Sequence, residues 1–318
     1  MINNFKHHIG RLIKYRETVI GSIIVMHRVG YVNQEKLWYN EHLKLSTEKI
    51  EQFVKKAKKN GCSFISLDEL HYILTKKKRA RRIICITLDD GYKDNFTMGL
   101  PCFKQLNVPF CVYVSSSFLN DEAFLWWYTL EDLILSNNYL VLSDGTKYNC
   151  TDKKEKENAF ISLRNIVLNL PQDNLQDSFR CLFSLYSYDP LKYVKETTMS
   201  WEQIEKLIDE PLATIGNHTH THMSFQCCNN NEIKKDILNA QELVRLKTGY
   251  KMSHFSYPFG VPPSITPTHY KIINEMGFDT ATTTYDDSIR YNSDLCSLPR
   301  KFITEKNVDL ILSQIVND

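Results

Sequence analysis

Apolar and polar positions follow two rhythms that alternate along most of this chain. Short, nearly continuous apolar runs at 22–29, 83–88, 110–114, 212–216, 253–257 and 280–284 read as strands buried on both faces. Between them apolar residues recur at helical spacing. Ile50, Phe53, Val54 and Ala57 form a stripe that opens at Ser46 and stops at Gly61, and Ile233, Ile237, Ala240 and Val244 form one that ends at Gly249. Further helical patterns lead to Leu106 and cover 267–276, and Ser66–Glu69 and Ser200–Gln203 have the spacing of capping boxes that start helices. Strands alternating with helices predict an α/β fold with a parallel sheet.

The alternation lapses between about 120 and 199. That stretch holds the pair Trp126-Trp127, a turn at Ser143-Asp144-Gly145-Thr146, and helical patterns at 159–170 and 175–185. Strand and helix units resume afterwards, so the stretch reads as an insertion in a single catalytic domain spanning 1–318. The two tryptophans fit a wall on which a sugar stacks, but their spacing to Leu130, Leu133 and Ile134 assigns at least one to core.

Composition narrows the class. At 318 residues with 42% hydrophobic and 24% charged positions, the chain is neither disordered nor fibrous. Thirty-nine basic against 37 acidic side chains leave a net charge of +2, which gives no electrostatic case for nucleic acid, and the basic run at 76–82 reads as a solvated helix end. Nine cysteines is an odd number, none in a Cys-x-x-Cys pattern, and Cys85 and Cys111 sit in apolar strands as small hydrophobes. Lys6, Arg11, Lys14, Arg16 and Glu17 interrupt the first apolar stretches, and residues 19–26 fall far short of the roughly 20 residues of a membrane helix. The expectation is a cytoplasmic protein without a transmembrane segment, with peripheral membrane contact through the basic N-terminus left open.

Three polar clusters follow strand-like runs: Thr87-Leu88-Asp89-Asp90-Gly91, His218-Thr219-His220-Thr221-His222, and Phe255 to Gly260. In parallel α/β folds the carboxyl ends of strands share one functional face, so the clusters are candidates to converge. His218 and His222, four apart, suit a divalent cation from one side of a helical turn, while His220 points elsewhere. Two adjacent acids after an apolar strand repel unless a cation or a proton neutralises one of them. A helix N-cap accounts for one aspartate only. Two histidines and a carboxylate leave open positions, the catalytic form of a zinc-type site, and the second aspartate is then available as general base for hydrolysis of an acyl group.

These motifs resemble those of the polysaccharide deacetylases, carbohydrate esterase family 4, over residues from about 24 to 302. The family's Thr-Phe-Asp-Asp-Gly matches Thr87 to Gly91, and its His-Ser/Thr-x-x-x-His matches His218 to His222. The resemblance implies an irregular (β/α) barrel, Asp89 as base, and Asp90, His218 and His222 as ligands of one divalent ion, zinc first, with cobalt, nickel or manganese as alternatives. It departs at the third motif, where many members carry Arg-Pro-Pro-Tyr and this chain has Ser256-Tyr257-Pro258-Phe259. Phe259 retains a backbone N–H for the oxyanion. Arg300, in Leu298-Pro299-Arg300, is the candidate for the lost charge; a surface arginine at a strand end is its bland reading. No histidine follows His269, so the family's C-terminal catalytic histidine is missing as well, and His27 is the candidate proton donor in its place, against a core histidine bonded to a carbonyl.

The implied activity is metal-dependent removal of acetyl from an N-acetylated sugar in a polysaccharide, glycolipid or precursor. Two rivals stand beside it: an O-acetyl esterase or non-sugar amidohydrolase using the same site, and a carbohydrate-binding protein whose site has decayed.

Overall fold

The structure, a computed structural model, describes residues 18–317. Six strands, β1 (Val19–Met26), β2 (Ile83–Leu88), β3 (Phe110–Val114), β4 (Ala213–Asn217), β5 (His254–Ser256) and β6 (Thr280–Thr282), lie side by side in chain order. All five adjacent pairs are parallel. Parallel neighbours need a crossover between them. Helices at Leu67–Lys76, Leu100–Leu106, Trp201–Ile208, Asn230–Thr248 and Pro267–Glu275 fall in the connections.

The segment after residue 297 curls this sheet into a barrel. Leu298 bridges Thr282 of β6 in the parallel sense, and Lys301–Phe302 pairs parallel with Ile24 and Val25 of β1. Ile289–Arg290 adds an antiparallel pair at the start of β1. Arg300 thus lies in the strip that joins the last strand to the first.

Strand alternation sorts the core into two layers. Ile24, Ile86, Val112 and Ile215 face the outer helices and pack with Ile50, Phe53, Ile204, Leu207, Ala240 and Val244. Ile23, Cys85, Cys111 and Tyr113 point inward and pack against Leu67, Leu70 and Leu74 of the helix at Leu67–Lys76. Thr87 and Asp89 continue the inward parity beyond Cys85, so β2 itself aims them into the barrel.

The expected elements recur with shifted ends. The first strand stops at Met26, three residues early, because Arg28–Val29 leaves the sheet to pair with Lys44–Leu45. Both capping boxes form, with Ser66 and Ser200 each accepting the N3 amide. The stretch at 120–199 holds helices Trp126–Ser136, Lys153–Leu168 and Leu175–Leu182 and a hairpin of Tyr139–Val141 with Lys147–Asn149. Leu130, Leu133, Phe160, Leu163, Phe179 and Phe183 give it an apolar cluster, which Trp126, 4% exposed, also joins. Lys153–Leu168 begins six residues before the expected start, because the Asp152 side chain caps it by accepting the Glu155 amide at 2.8 Å. Among the described residues no helix is long and apolar enough to cross a membrane; the basic N-terminus considered for membrane contact lies outside them.

β1 has no room for a side chain at Gly21. This residue pairs with Ile83 on one side and Ile289 on the other, and a β-carbon there would fall inside the van der Waals envelope of the Ile83 carbonyl. Gly21→Ala is expected to cost about 1–3 kcal/mol or more in urea unfolding. An unchanged midpoint would contradict this packing.

Candidate active site and metal centre

At the carboxyl end of β2 the chain turns sharply: Asp90 and Gly91 adopt left-handed φ values of 77° and 78°. Asp89 and Asp90 are therefore sent in different directions, and each finds its own partner.

Asp89 meets Arg300. The guanidinium holds both carboxylate oxygens, Nη1 to Oδ1 at 2.7 Å and Nη2 to Oδ2 at 2.6 Å. Its other donors go to the Thr283 carbonyl (2.7 Å), Thr87 Oγ1 (3.1 Å) and Ser256 Oγ (2.9 Å). All five N–H groups of a side chain with no exposed surface are thus satisfied. Burial by itself raises the Asp89 pKa, but the Arg300 charge and hydrogen bonds overcome it and hold the carboxyl below its ordinary value. Arg300 is a fully buried partner of Asp89, which discards its surface reading.

Asp90 meets the histidines. His218 Nε2 lies 3.4 Å and His222 Nε2 3.2 Å from Asp90 Oδ1. His218 Nδ1 is 2.8 Å from the Ser256 carbonyl, which only accepts, so Nδ1 carries the proton and Nε2 of the neutral ring presents a lone pair toward Asp90. Lone pair and carboxylate repel at that distance unless a cation or proton lies between them. Burial alone lowers the His218 pKa, yet the adjacent carboxylates of Asp90 and Asp89 raise it above the ordinary histidine value. Asp90 Oδ1 is buried without a hydrogen-bond partner, and one ligand atom from each of Asp90, His218 and His222 lies within 4.8 Å of the others. Three convergent acceptors with an unmet buried oxygen fit a divalent cation.

The histidine pair does not sit on a helix, contrary to the helical-turn spacing expected from sequence. Residues 218–222 form a loop in which Thr219 and His222 have φ of 69° and 56°. The loop is built by side chains of neighbouring elements. Asn217 Oδ1 accepts the Thr219 amide, Thr219 Oγ1 accepts the His222 amide, and buried Asp236 accepts the amides of His220 and Thr221 and the Thr221 hydroxyl. His220 does point elsewhere, its Nδ1 2.8 Å from Ser116 Oγ. Sequence reasoning passed over Asp236 and Asn217 and gave Ser256 no role, because a polar residue on an amphipathic helix or at a strand end gives no sign of which loop it serves.

The centre opens on a cleft of about 420 Å³. Its lining includes His27, Asp89, Asp90, His218, His222 and Phe259, so every residue singled out in sequence except Arg300 reaches it. His27 Nδ1 is buried without a partner; burial pushes its pKa below the ordinary value, opposed by Asp90 and Asp89. Phe259 has φ 62°, its ring lies 5.0 Å from that of His222, and among the described residues its backbone N–H has no acceptor. Trp127 packs edge-on to His222 at 5.5 Å and donates to the Tyr92 hydroxyl, so it is the tryptophan that flanks the centre while Trp126 belongs mainly to core.

Removing one member of a buried, fully bonded ion pair leaves an uncompensated charge. Arg300→Met is expected to cost about 3–5 kcal/mol in urea unfolding, and adding Asp89→Asn to restore a large part of it. Equal stability of the single and double variants would refute the coupling.

The sequence profile of the polysaccharide deacetylases matches residues 76–281, more than half of the chain. Among solved structures, the Streptococcus pyogenes deacetylase PplD in complex with acetate superposes with TM-score 0.62 at 13% identity, covering 94% of this chain and 99% of that one. IcaB from Ammonifex degensii gives 0.61 at 15% identity, covering 94% and 98%, and a de-N-acetylase from Aggregatibacter actinomycetemcomitans gives 0.58 at 13%, covering 92% and 99%. At these identities the likeness concerns the fold. No curated protein matches the sequence closely. With its profile match, its curled parallel sheet and its Asp-Asp and His-x-x-x-His loops at the carboxyl ends of β2 and β4, the chain belongs to the polysaccharide deacetylase family.

Proposed function

We propose that this protein hydrolyses the acetamide of an N-acetylated sugar in a polysaccharide, glycolipid or their precursor, with a divalent cation, zinc first, held by Asp90, His218 and His222. The observation that carries the reading is the division of labour between adjacent aspartates: one paired with a buried arginine, the other turned to two imidazoles. The acetyl specificity draws on the relatives, one described as a deacetylase in complex with acetate and one as a de-N-acetylase.

When bound, the cation supplies Lewis acidity and brings the pKa of water toward neutrality. Asp89 is the base. The Arg300 fork keeps it ionised and fixes its plane, yet each carboxylate oxygen retains acceptor capacity for a proton taken from the attacking water. The Phe259 N–H, without an acceptor among the described residues, is the donor for the developing oxyanion, a role that requires no particular side chain. His27, at the end of β1 with an unpartnered nitrogen, passes on to the departing amine the proton that Asp89 takes from the attacking water. Asp236 and Ser256 act at one remove, by fixing the loop and the tautomer of His218. The retained Arg300–Asp89 pair counts against a decayed binding protein, and comparing acetate release from N-acetyl sugars and from O-acetyl esters separates the amidase from the esterase reading.

Two outcomes test the assignments. Asp90→Ala and His218→Ala are expected to lose zinc by metal analysis, whereas Asp89→Asn keeps it and loses at least about 100-fold in acetate release from an N-acetylated oligosaccharide. Full turnover in Asp89→Asn would remove it as the base. For His27→Gln at fixed metal content, turnover should fall by about 100-fold; no change would take His27 out of the mechanism.

A further inference from the structure

One cationic side chain in the cleft has no role in the chemistry above. Arg164 projects from the helix Lys153–Leu168 into the same cleft as the candidate metal centre. Its guanidinium carbon lies 5.1 Å from the Tyr39 ring centroid and 5.8 Å from that of Phe259. The two other arginines near the centre are matched, Arg300 by Asp89 and Arg28 by Asp94. Among the described residues no carboxylate pairs with Arg164. Burial lowers its pKa, and only the Tyr39 hydroxyl opposes that. A partly desolvated guanidinium with five donors and no anion, set between aromatic faces, is costly to keep unless a ligand completes it.

We propose that Arg164 forms a subsite for an oxyanion, phosphate or carboxylate, carried by the acetylated sugar. This rests on the deacetylase reading and adds a charge requirement to its substrate. The Phe259 ring neighbours both positions, 5.0 Å from the His222 ring and 5.8 Å from the guanidinium, and these two distances set the upper limit of the separation between them. A single monosaccharide with its acetamide at the centre and one charged substituent bridges that separation. Tyr39, Phe259, Val261 and Phe302 line the same cleft and offer the sugar ring apolar surface. The chemistry is shared by a sugar phosphate, free or as the headgroup of a lipid-linked sugar, and by a uronic acid.

The test uses the full chain, Arg164→Gln and Arg164→Lys with three probes: methyl N-acetylglucosaminide, N-acetylglucosamine 1-phosphate and N-acetylglucosaminuronic acid. Calorimetry on zinc-free protein removes the cation as a competing anion site. The natural chain should bind at least one anionic probe about tenfold more tightly than the neutral one, R164Q should abolish the difference, and R164K should keep part of it for phosphate. The stronger of the two anionic probes identifies the group. The ratio of kcat/KM between anionic and neutral probes should follow the same order in the zinc-loaded enzyme. Equal affinity for all three probes in the natural chain, or an anion preference that survives in R164Q, overturns the proposal. Acetate release from none of them would instead overturn the deacetylase reading, while the zinc-free binding still decides this one.

Discussion

The buried pair of Arg300 and Asp89 is the interaction on which the fold and the site both depend. Each charge alone in that interior is strongly disfavoured, and only the forked geometry with every donor satisfied makes their burial tolerable. The same guanidinium bonds Thr87 on β2, Ser256 on β5 and the Thr283 carbonyl just past β6. It arrives on the strip that links β6 to β1. Closing the barrel and orienting Asp89 are therefore one event, and neither is complete without the other.

Around this anchor the site is assembled from strained turns. Asp90, Thr219, His222 and Phe259 all have positive φ, each at the carboxyl end of a strand. Non-glycine residues in that region cost on the order of 1–3 kcal/mol each and persist where surroundings over-determine them. Here the surroundings are visible: Asn217, Thr219 and Asp236 bond the histidine loop, and the Thr284 hydroxyl bonds the Phe259 carbonyl. The strain turns Asp90 away from Asp89 and toward the imidazoles, which a regular strand or helix start at that point would not do.

Much of this was legible in the sequence, for identifiable reasons. Paired aspartates just past an apolar strand, beside a His-x-x-x-His spacing, point to a cation because like acceptors otherwise repel. Arg300 was reached only through resemblance, since nothing local to Leu298-Pro299-Arg300 reveals that the segment closes a barrel 211 residues away from Asp89. The histidine spacing suggested a helical turn, but left-handed Thr219 and His222 bring the rings together from a loop. Arg164 was invisible for the opposite reason: on the sequence it is an ordinary arginine of an amphipathic helix, and only packing of that helix against Tyr39 and Phe259 sets it in the cleft.

The most direct measurement is diffraction from zinc-soaked crystals at the zinc absorption edge. The account predicts one anomalous peak about 2.0–2.2 Å from an Asp90 oxygen, His218 Nε2 and His222 Nε2, with Asp89 still paired to Arg300 and unligated. A peak held instead by Asp89, or none at these three side chains in zinc-saturated protein, would contradict it.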